Sequence, residues 1–260
     1  MFSNYTQFII NLARISGEEL KNGFNSSFKV ESKTKLNDLL TEYDLKSEKI
    51  IIDKIKSNFP DHNILSEESG DVFSNESDYT WIIDPLDGTV NFANKLAIFS
   101  VSIALKKEDK IISGAVFNPI SDELFYGELN KGSYLNDKRL KVSKCEDINK
   151  AFLVTGFPYN IAENPLNCIE TFSRIIQSGI PVRRLGSAAL DLCFVADGRF
   201  DGFWEVSLKP WDMAAGKLIL EEAGGKVTDY LGNVHNLEES SIIATNNLIH
   251  NNLIGLVNEN

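Results

Sequence analysis

Sulfur and positive charge are both scarce in this chain, and each scarcity removes a class of protein. The three cysteines, Cys145, Cys168 and Cys193, are odd in number, widely spaced and without a C-x-x-C pair. That usage excludes a disulfide framework and points to a reducing compartment, with the cytoplasm expected. Lys and Arg total 26 against 37 Asp and Glu, a net charge of -11. The basic residues are scattered, which argues against nonspecific binding to nucleic acid or anionic membranes. The opening Met1-Phe2-Ser3-Asn4-Tyr5 has no cationic stretch. No apolar run approaches the roughly 20 residues that span a bilayer, so neither export nor membrane insertion is expected. His62, His235 and His250 show no metal spacing and no Ser or Cys partner in a recognisable motif, so they read as surface residues. No linker, repeat or low-complexity segment divides the 260 residues, which implies one unit of two lobes packed together without a tether.

What is present is a succession of well-marked elements. Phe8, Leu12 and Ile15 recur at helical spacing between Tyr5 and Phe24. Thr41 and Asp44 resemble a capping box for a helix that Pro60 should end. Asn63–Ser66 reads as a strand, the polar stretch Asp71 to Asp78 as a surface loop, and Trp81–Ile83 as another strand. An antiparallel meander follows: Phe99–Leu105, Ile111–Phe117, Leu124–Gly127 and Ser133–Leu135. Strands and helices then alternate: strand Phe152–Thr155, helix about Asn164–Ser178, strand Val182–Leu185, helix Ala188–Ala196, strand Gly202–Glu205, helix Met213–Ala223, and a terminal strand and helix. Phe200–Trp204 reads as sheet core. Strands in a run, then strands alternating with helices, predict layered sheets and helices.

The chemistry concentrates in Trp81-Ile82-Ile83-Asp84-Pro85-Leu86-Asp87-Gly88-Thr89-Val90-Asn91-Phe92. Two carboxylates three residues apart at the end of an apolar strand can converge on one point, and converging like charges need a shared proton or a cation. Gly88 lets the backbone approach a ligand, and the Gly88 and Thr89 N–H groups at a helix start suit an anion such as phosphate. An acidic protein that binds phosphate must reverse its local field, and bound metal ions do so most directly. A D-x-D-G-T turn in which an Asp attacks phosphorus is the rival reading. Here the turn is one residue longer, which favours bridging metals.

Four segments together resemble the inositol monophosphatase family, within the magnesium-dependent, lithium-sensitive phosphatases. They are Glu67-Glu68 after a strand, Asp84-Pro85-Leu86-Asp87-Gly88-Thr89, Gly186-Ser187-Ala188-Ala189, and Trp211-Asp212-Met213-Ala214-Ala215-Gly216. The resemblance implies an α-β-α-β-α layered sandwich of the inositol monophosphatase/fructose-bisphosphatase type. Residues 1–150 would form an α+β lobe with the antiparallel sheet and most metal ligands; 151–260 would form an α/β lobe with Asp212 and the substrate-binding residues.

By the same resemblance, Glu67, Asp84 and the Leu86 carbonyl would hold one magnesium, and Asp84, Asp87 and Asp212 a second. Two cations about 3.5–4 Å apart suit an in-line phosphoryl displacement. Lys33 and Asp44 match a lysine on a mobile loop and an outer carboxylate near a third, weaker metal. Glu67 and the Thr89 hydroxyl would accept the proton of the attacking water. Glu205 matches a carboxylate that binds inositol hydroxyls, and Gly186, Ser187 and Ala188 a segment closing over the ring. Inositol 1-phosphate is the expected substrate, with fructose 1,6-bisphosphate and a 3′-nucleotide bisphosphate as alternatives. A homodimer and lithium inhibition are implied as well. Some bacterial members also act as partners of RNA or the transcription machinery, a role the acidic composition does not support.

Overall fold

A computed structural model describes residues 1–32, 39–73 and 77–259. The elements, in order, are α1 (Asn4–Phe24), β1 (Val30–Ser32), β2 (Leu39–Thr41), α2 (Glu42–Asn58), β3 (Asn63–Ser66), β4 (Gly70–Phe73), β5 (Tyr79–Asp87), α3 (Thr89–Ala93), β6 (Ser100–Lys107), β7 (Lys110–Asn118), β8 (Glu123–Glu128), β9 (Gly132–Leu135) and β10 (Lys138–Arg139). They continue with β11 (Leu153–Thr155), α4 (Cys168–Gln177), β12 (Val182–Arg183), α5 (Ala188–Ala196), β13 (Gly202–Val206), α6 (Pro210–Glu222), β14 (Lys226–Thr228), β15 (Ser241–Thr245) and α7 (His250–Asn258). No described helix is long and apolar enough to cross a membrane.

Eight strands form one sheet in the order β10-β9-β8-β7-β6-β5-β3-β4, and five form another in the order β12-β11-β13-β15-β14. In the large sheet β3 and β5 run parallel while the rest pair antiparallel. α1 and α2 pack on one face of that sheet, and α5 and α6 on the other. α5 also meets the small sheet, whose far side carries α4 and α7. The layers are therefore α-β-α-β-α. Strands covered on both faces read as nearly continuous apolar runs. Period-two alternation then sorts the side chains. In β5, Trp81 and Ile83 enter the core under α1 and α2, while Ile82 turns to the central helical layer. In β13, Phe203 faces that same central layer and Trp204 the core beneath α4 and α7.

The capping box of α2 is present: Thr41 accepts from the Tyr43 N–H at 3.2 Å, and Asp44 Oδ2 accepts from the Thr41 N–H at 2.8 Å. The helix ends at Asn58, because Phe59 precedes Pro60 and is pushed out of the helical region, to φ -138°.

Several expectations need correction. Asp71 to Phe73 are not loop but strand, paired antiparallel with β3. The helix expected from about Asn164 begins at Cys168, because Asn164, Leu166 and Asn167 adopt left-handed conformations that break its start. β12 stops at Arg183 rather than Leu185. α6 starts at Pro210, three residues early, since proline suits the first helical position, where no N–H is needed.

His235 and His250 are buried rather than superficial, at 3% and 1% exposure. Burial first, then Lys217 and Lys226 respectively, lowers both to about 4. Thr228 Oγ1 donates to the Asp229 carbonyl, so it must accept from His250 Nε2 at 3.0 Å. The other ring nitrogen of His250 meets Thr245 Oγ1 at 2.9 Å, tying α7 to the small sheet.

Candidate metal and phosphate site

β5 does not stop before the Asp-Pro-Leu-Asp segment but runs through it. Against β6, Asp84 pairs with Ser102 and Asp87 with Ser100, so three steps on one strand match two on the other. The extra residue is a β-bulge, and Pro85, which has no N–H for the ladder, is tolerated in it. Bulged strand ends re-aim side chains, which here lets Asp84 and Asp87 contribute to one site. On the other side of β5 the parallel register sets Ser66 beside Ile83, and the Glu67 N–H donates to the Ile83 carbonyl at 3.1 Å. Glu67 is thereby level with Asp84.

Asp87 is held from the central helical layer. Its Oδ2 accepts from Ser187 Oγ at 2.5 Å, from the Ala189 N–H in the first turn of α5 at 3.1 Å, and from Ser100 Oγ at 3.4 Å. Asp84 Oδ1 accepts from the Leu86 N–H at 3.0 Å. Asp212, half-buried in the first turn of α6, accepts the Lys209 N–H at 2.7 Å and so caps its own helix. Glu205 is buried on β13 against Gly156, where any Cβ would collide with its carboxylate.

Gly88 has φ +91°, and a Cβ there would stand 3.0 Å from the Ile98 carbonyl and 3.3 Å from that of Gly186. Only glycine accommodates both demands. Asn91 ties this turn to the Gly186 segment, donating to the Ile98 and Leu185 carbonyls at 2.7 and 2.8 Å. Thr89 Oγ1 lies 3.0 Å from both the Leu86 carbonyl and Asp44 Oδ1. One hydroxyl proton is shared between these two acceptors. Burial, despite the hydrogen bonds from Thr41 and Thr89, raises the Asp44 carboxyl to about 6.

The electrostatics set this cluster apart. Burial, then Glu67, Asp87 and Asp212, raise the Asp84 carboxyl well above its ordinary value. Asp212 is raised by desolvation, then by Glu67, with Asp87 adding to it. Burial raises Asp87 to about 6, against the pull of Ser187 and Ala189. Glu205 is raised by burial, Asp212 and Asp87, with Arg184 opposing. Asp84 and Glu67 share a side-chain hydrogen bond, which two carboxyl groups can form only around a proton. Among the described residues no three His, Cys, Asp or Glu side chains are already gathered so as to hold a metal ion. Mutually repelling, all-oxygen acids nevertheless fit a hard divalent cation, which would replace the shared proton.

Of the residues expected from sequence, Glu67, Asp84, Asp87 and Asp212 act on one another electrostatically, and Asp87 and Asp212 act also on Glu205. Ser187 bonds Asp87, Gly88 lies against the Gly186 carbonyl, Thr89 links the Leu86 carbonyl to Asp44, and Ala188 lies in the chain between Ser187 and Ala189. Lys33 lies outside the described residues. The sequence reading missed Ser100 and the Ala189 N–H on Asp87. It also missed Asp191, which is 1% exposed, has an Oδ1 without a hydrogen-bond partner among the described residues, and is raised by burial, Glu205 and Asp87. Its position three residues after Ala188, in the turn that grips Asp87, was the available signal. Trp211, beside Asp212, is half-buried against the central cluster.

Residues 1–260 match the model of the inositol monophosphatase family. The Nus factor SuhB of Pasteurella multocida (strain Pm70) is 42% identical over 236 residues, covering 90% of this chain and 88% of that protein. The crystal structure of the extragenic suppressor protein suhB from Bartonella henselae superimposes with a TM-score of 0.93 at 36% identity, covering 99% of each chain. Inositol monophosphatase from Anabaena (Nostoc) sp. PCC 7120 gives a TM-score of 0.86 at 37% identity, covering 97% of this chain and 94% of that one. With its whole length matched and its layered fold shared, the chain belongs to the inositol monophosphatase family.

Proposed function

We propose that this chain is a magnesium-dependent phosphatase that hydrolyses an inositol or sugar phosphate monoester, with inositol 1-phosphate the first candidate. The observation that carries the proposal is the cluster of acids where the parallel β3–β5 pair meets α5 and α6, in which Glu67 and its neighbours push the Asp84, Asp87 and Asp212 carboxyls up. Glu67, Asp84 and the Leu86 carbonyl, and Asp84, Asp87 and Asp212, would hold two magnesium ions. When bound, these would neutralise the acids, bind the phosphate oxygens and acidify the attacking water.

The chain's own groups supply the rest. Thr89, whose hydroxyl bonds to Asp44, and Glu67 would take the water's proton. Ser187 and the Ala189 N–H keep Asp87 from turning away. The phosphate would lie against the Gly88-Thr89 turn, with Gly186 and Ala188 closing over the alcohol. Glu205, on the substrate side, would accept hydrogen bonds from polyol hydroxyls. A third metal at Asp44 and Lys33, a homodimer, lithium inhibition and a cytoplasmic location rest on family likeness and cysteine usage.

The test is kcat/KM against inositol 1-phosphate, fructose 1,6-bisphosphate and adenosine 3′,5′-bisphosphate across a magnesium titration. Turnover that survives chelation, or a beryllofluoride-mimicked phospho-aspartate, would overturn the proposal. A second reading, participation in transcription, is favoured by the Nus factor names of relatives about 40% identical. Given the net charge of -11, a protein surface is a better partner than RNA. Gel shift at physiological salt should be negative, while capture of purified RNA polymerase would support this reading.

A further inference from the structure

One stripe of α2 reaches three separate parts of the candidate site. Asp44, Ser47 and Glu48 stand at positions i, i+3 and i+4 and so project from the same face. All three are buried, at 0%, 0% and 5% exposure. Asp44 meets Thr89 as described. Ser47 Oγ donates to the Pro85 carbonyl at 2.6 Å, inside the bulge between Asp84 and Asp87. Its single proton is thereby used, so the Ser16 hydroxyl, 2.6 Å away, must donate to Ser47. α1 thus backs α2, which in turn backs the bulge.

Glu48 makes the most specific arrangement. Its Oε1 accepts from Ser66 Oγ at 2.5 Å and from the Ser69 N–H at 3.0 Å, and its Oε2 accepts from Ser69 Oγ at 2.6 Å. Ser66 and Ser69 are the residues on either side of Glu67-Glu68. One carboxylate therefore grips both ends of the turn that carries Glu67. A buried carboxylate is expensive when packing alone is needed, and an aliphatic side chain would fill the same volume without that cost. Three charge-assisted hydrogen bonds to one four-residue turn instead restrict where the turn can lie.

We propose that Glu48 is a positioning residue for Glu67, with Ser47 doing the same for the Asp84–Asp87 bulge. On this view α2 sets the separation between the two ligand-bearing segments and lowers the reorganisation needed to close them on a cation. The inference rests on the metal reading of the site. Polar partners that orient ligand side chains typically carry a 10–100-fold effect on metal affinity.

Calorimetric titration with Mn²⁺ of the full-length wild type, Glu48→Gln, Ser69→Ala and Glu128→Gln, each with its metal-free Tm, tests this. Glu128→Gln is the control: Glu128 also accepts three hydrogen bonds while buried, but at the end of β8 and clamping Ser3, Thr6 and Lys131. Glu48→Gln keeps an acceptor for Ser66 Oγ and the Ser69 N–H but turns an amide N–H₂ toward Ser69 Oγ and removes the charge from all three bonds, so Mn²⁺ affinity should fall about 10-fold. The magnesium needed for half-maximal rate should rise by a similar factor, while kcat at saturating magnesium stays near the wild-type value. Ser69→Ala should weaken Mn²⁺ binding a few-fold, and Glu128→Gln should move Tm but not affinity. If the wild type binds no Mn²⁺, the metal reading itself falls. If the wild type binds and Glu48→Gln binds equally well, the positioning role falls; should Glu48→Gln not fold, an unchanged affinity in Ser69→Ala overturns it instead.

Discussion

Glu128 and Asp87 each end a strand of the same sheet and are equally exposed, at 8%, yet the protein treats their charges in opposite ways. Burial alone would raise Glu128, but the Lys131 ammonium, the Thr6 hydroxyl and the Ser3 N–H and hydroxyl lower it to about 2. Asp87 has donors too, in Ser187, Ala189 and Ser100, but it lies deeper and faces Glu67, and its carboxyl is pushed up to about 6. Glu128 is a finished ion pair at the end of β8, and its environment stabilises the charge. Around Asp87 the nearby charges are acids, so the charge awaits a partner. Hydrogen bonds orient a buried carboxylate, but opposite charge decides whether it stays ionised.

The sharpest break of this comparison is Asp84→Asn. Turnover should fall by roughly 10²–10³-fold, the scale on which loss of one electrostatic group acts on a transition state. Its metal-free Tm should rise, because a group crowded by like charge has been neutralised. A lowered metal-free Tm would show that the cluster is already satisfied without a cation. The same logic has a pH sign. Asp87 binds its proton more tightly folded than unfolded, so its contribution is fully present below 3.8 and lost as pH rises through about 6. Metal-free Tm should therefore decline over that window, and magnesium should restore it.

Glu128→Gln should do the reverse, destabilising by about 1.5–3 kcal/mol, the usual worth of hydrogen bonds to a charged group. Rate per folded molecule should be unchanged. Glu128 is lowered from 4.5 to about 2, so the stability it contributes is complete above 4.5 and disappears as pH falls through 2. A Tm series from pH 6 down to 2 should show a flatter acid limb in the variant.

Gly88→Ala tests the backbone that follows each strand end. After Glu128 the chain continues through an ordinary Leu129, but after Asp87 it turns left-handed between two carbonyls. The substitution should cost about 1–3 kcal/mol by denaturant unfolding and reduce turnover along with it. The smallest effect is expected for Glu205→Gln, which should keep most of the kcat for a simple phosphate ester. Its discrimination among polyol phosphates should drop by under about tenfold in relative kcat/KM. Equal loss on every substrate would place Glu205 with the metal ligands instead.

Much of the site was legible because its signals are local. Asp84, Asp87, Gly88 and Thr89 lie within six residues, the Thr41–Asp44 capping box spans four, and α5 begins at Ala188 and ends at Ala196 where the apolar pattern does. Features that depend on pairing partners were not legible. Asp71 to Phe73 look like loop until β3 is found beside them. The bulge at Pro85 exists only in the count against Ser100 and Ser102. His235 and His250 carry no mark in the chain of their burial, and the grip of Ser47 and Glu48 on the site exists only once β3 and β5 come to rest against α2.

The order of residues by itself determined which groups are acids, which turns can bend and which stretches alternate as strand or helix, since these follow from side-chain chemistry within a few positions. Only the tertiary structure decided which carboxylates are paired with a cation and which are set against one another. A charge's free energy depends on the depth of protein around it and on neighbours that, for Asp87, lie 100 residues away at Ser187.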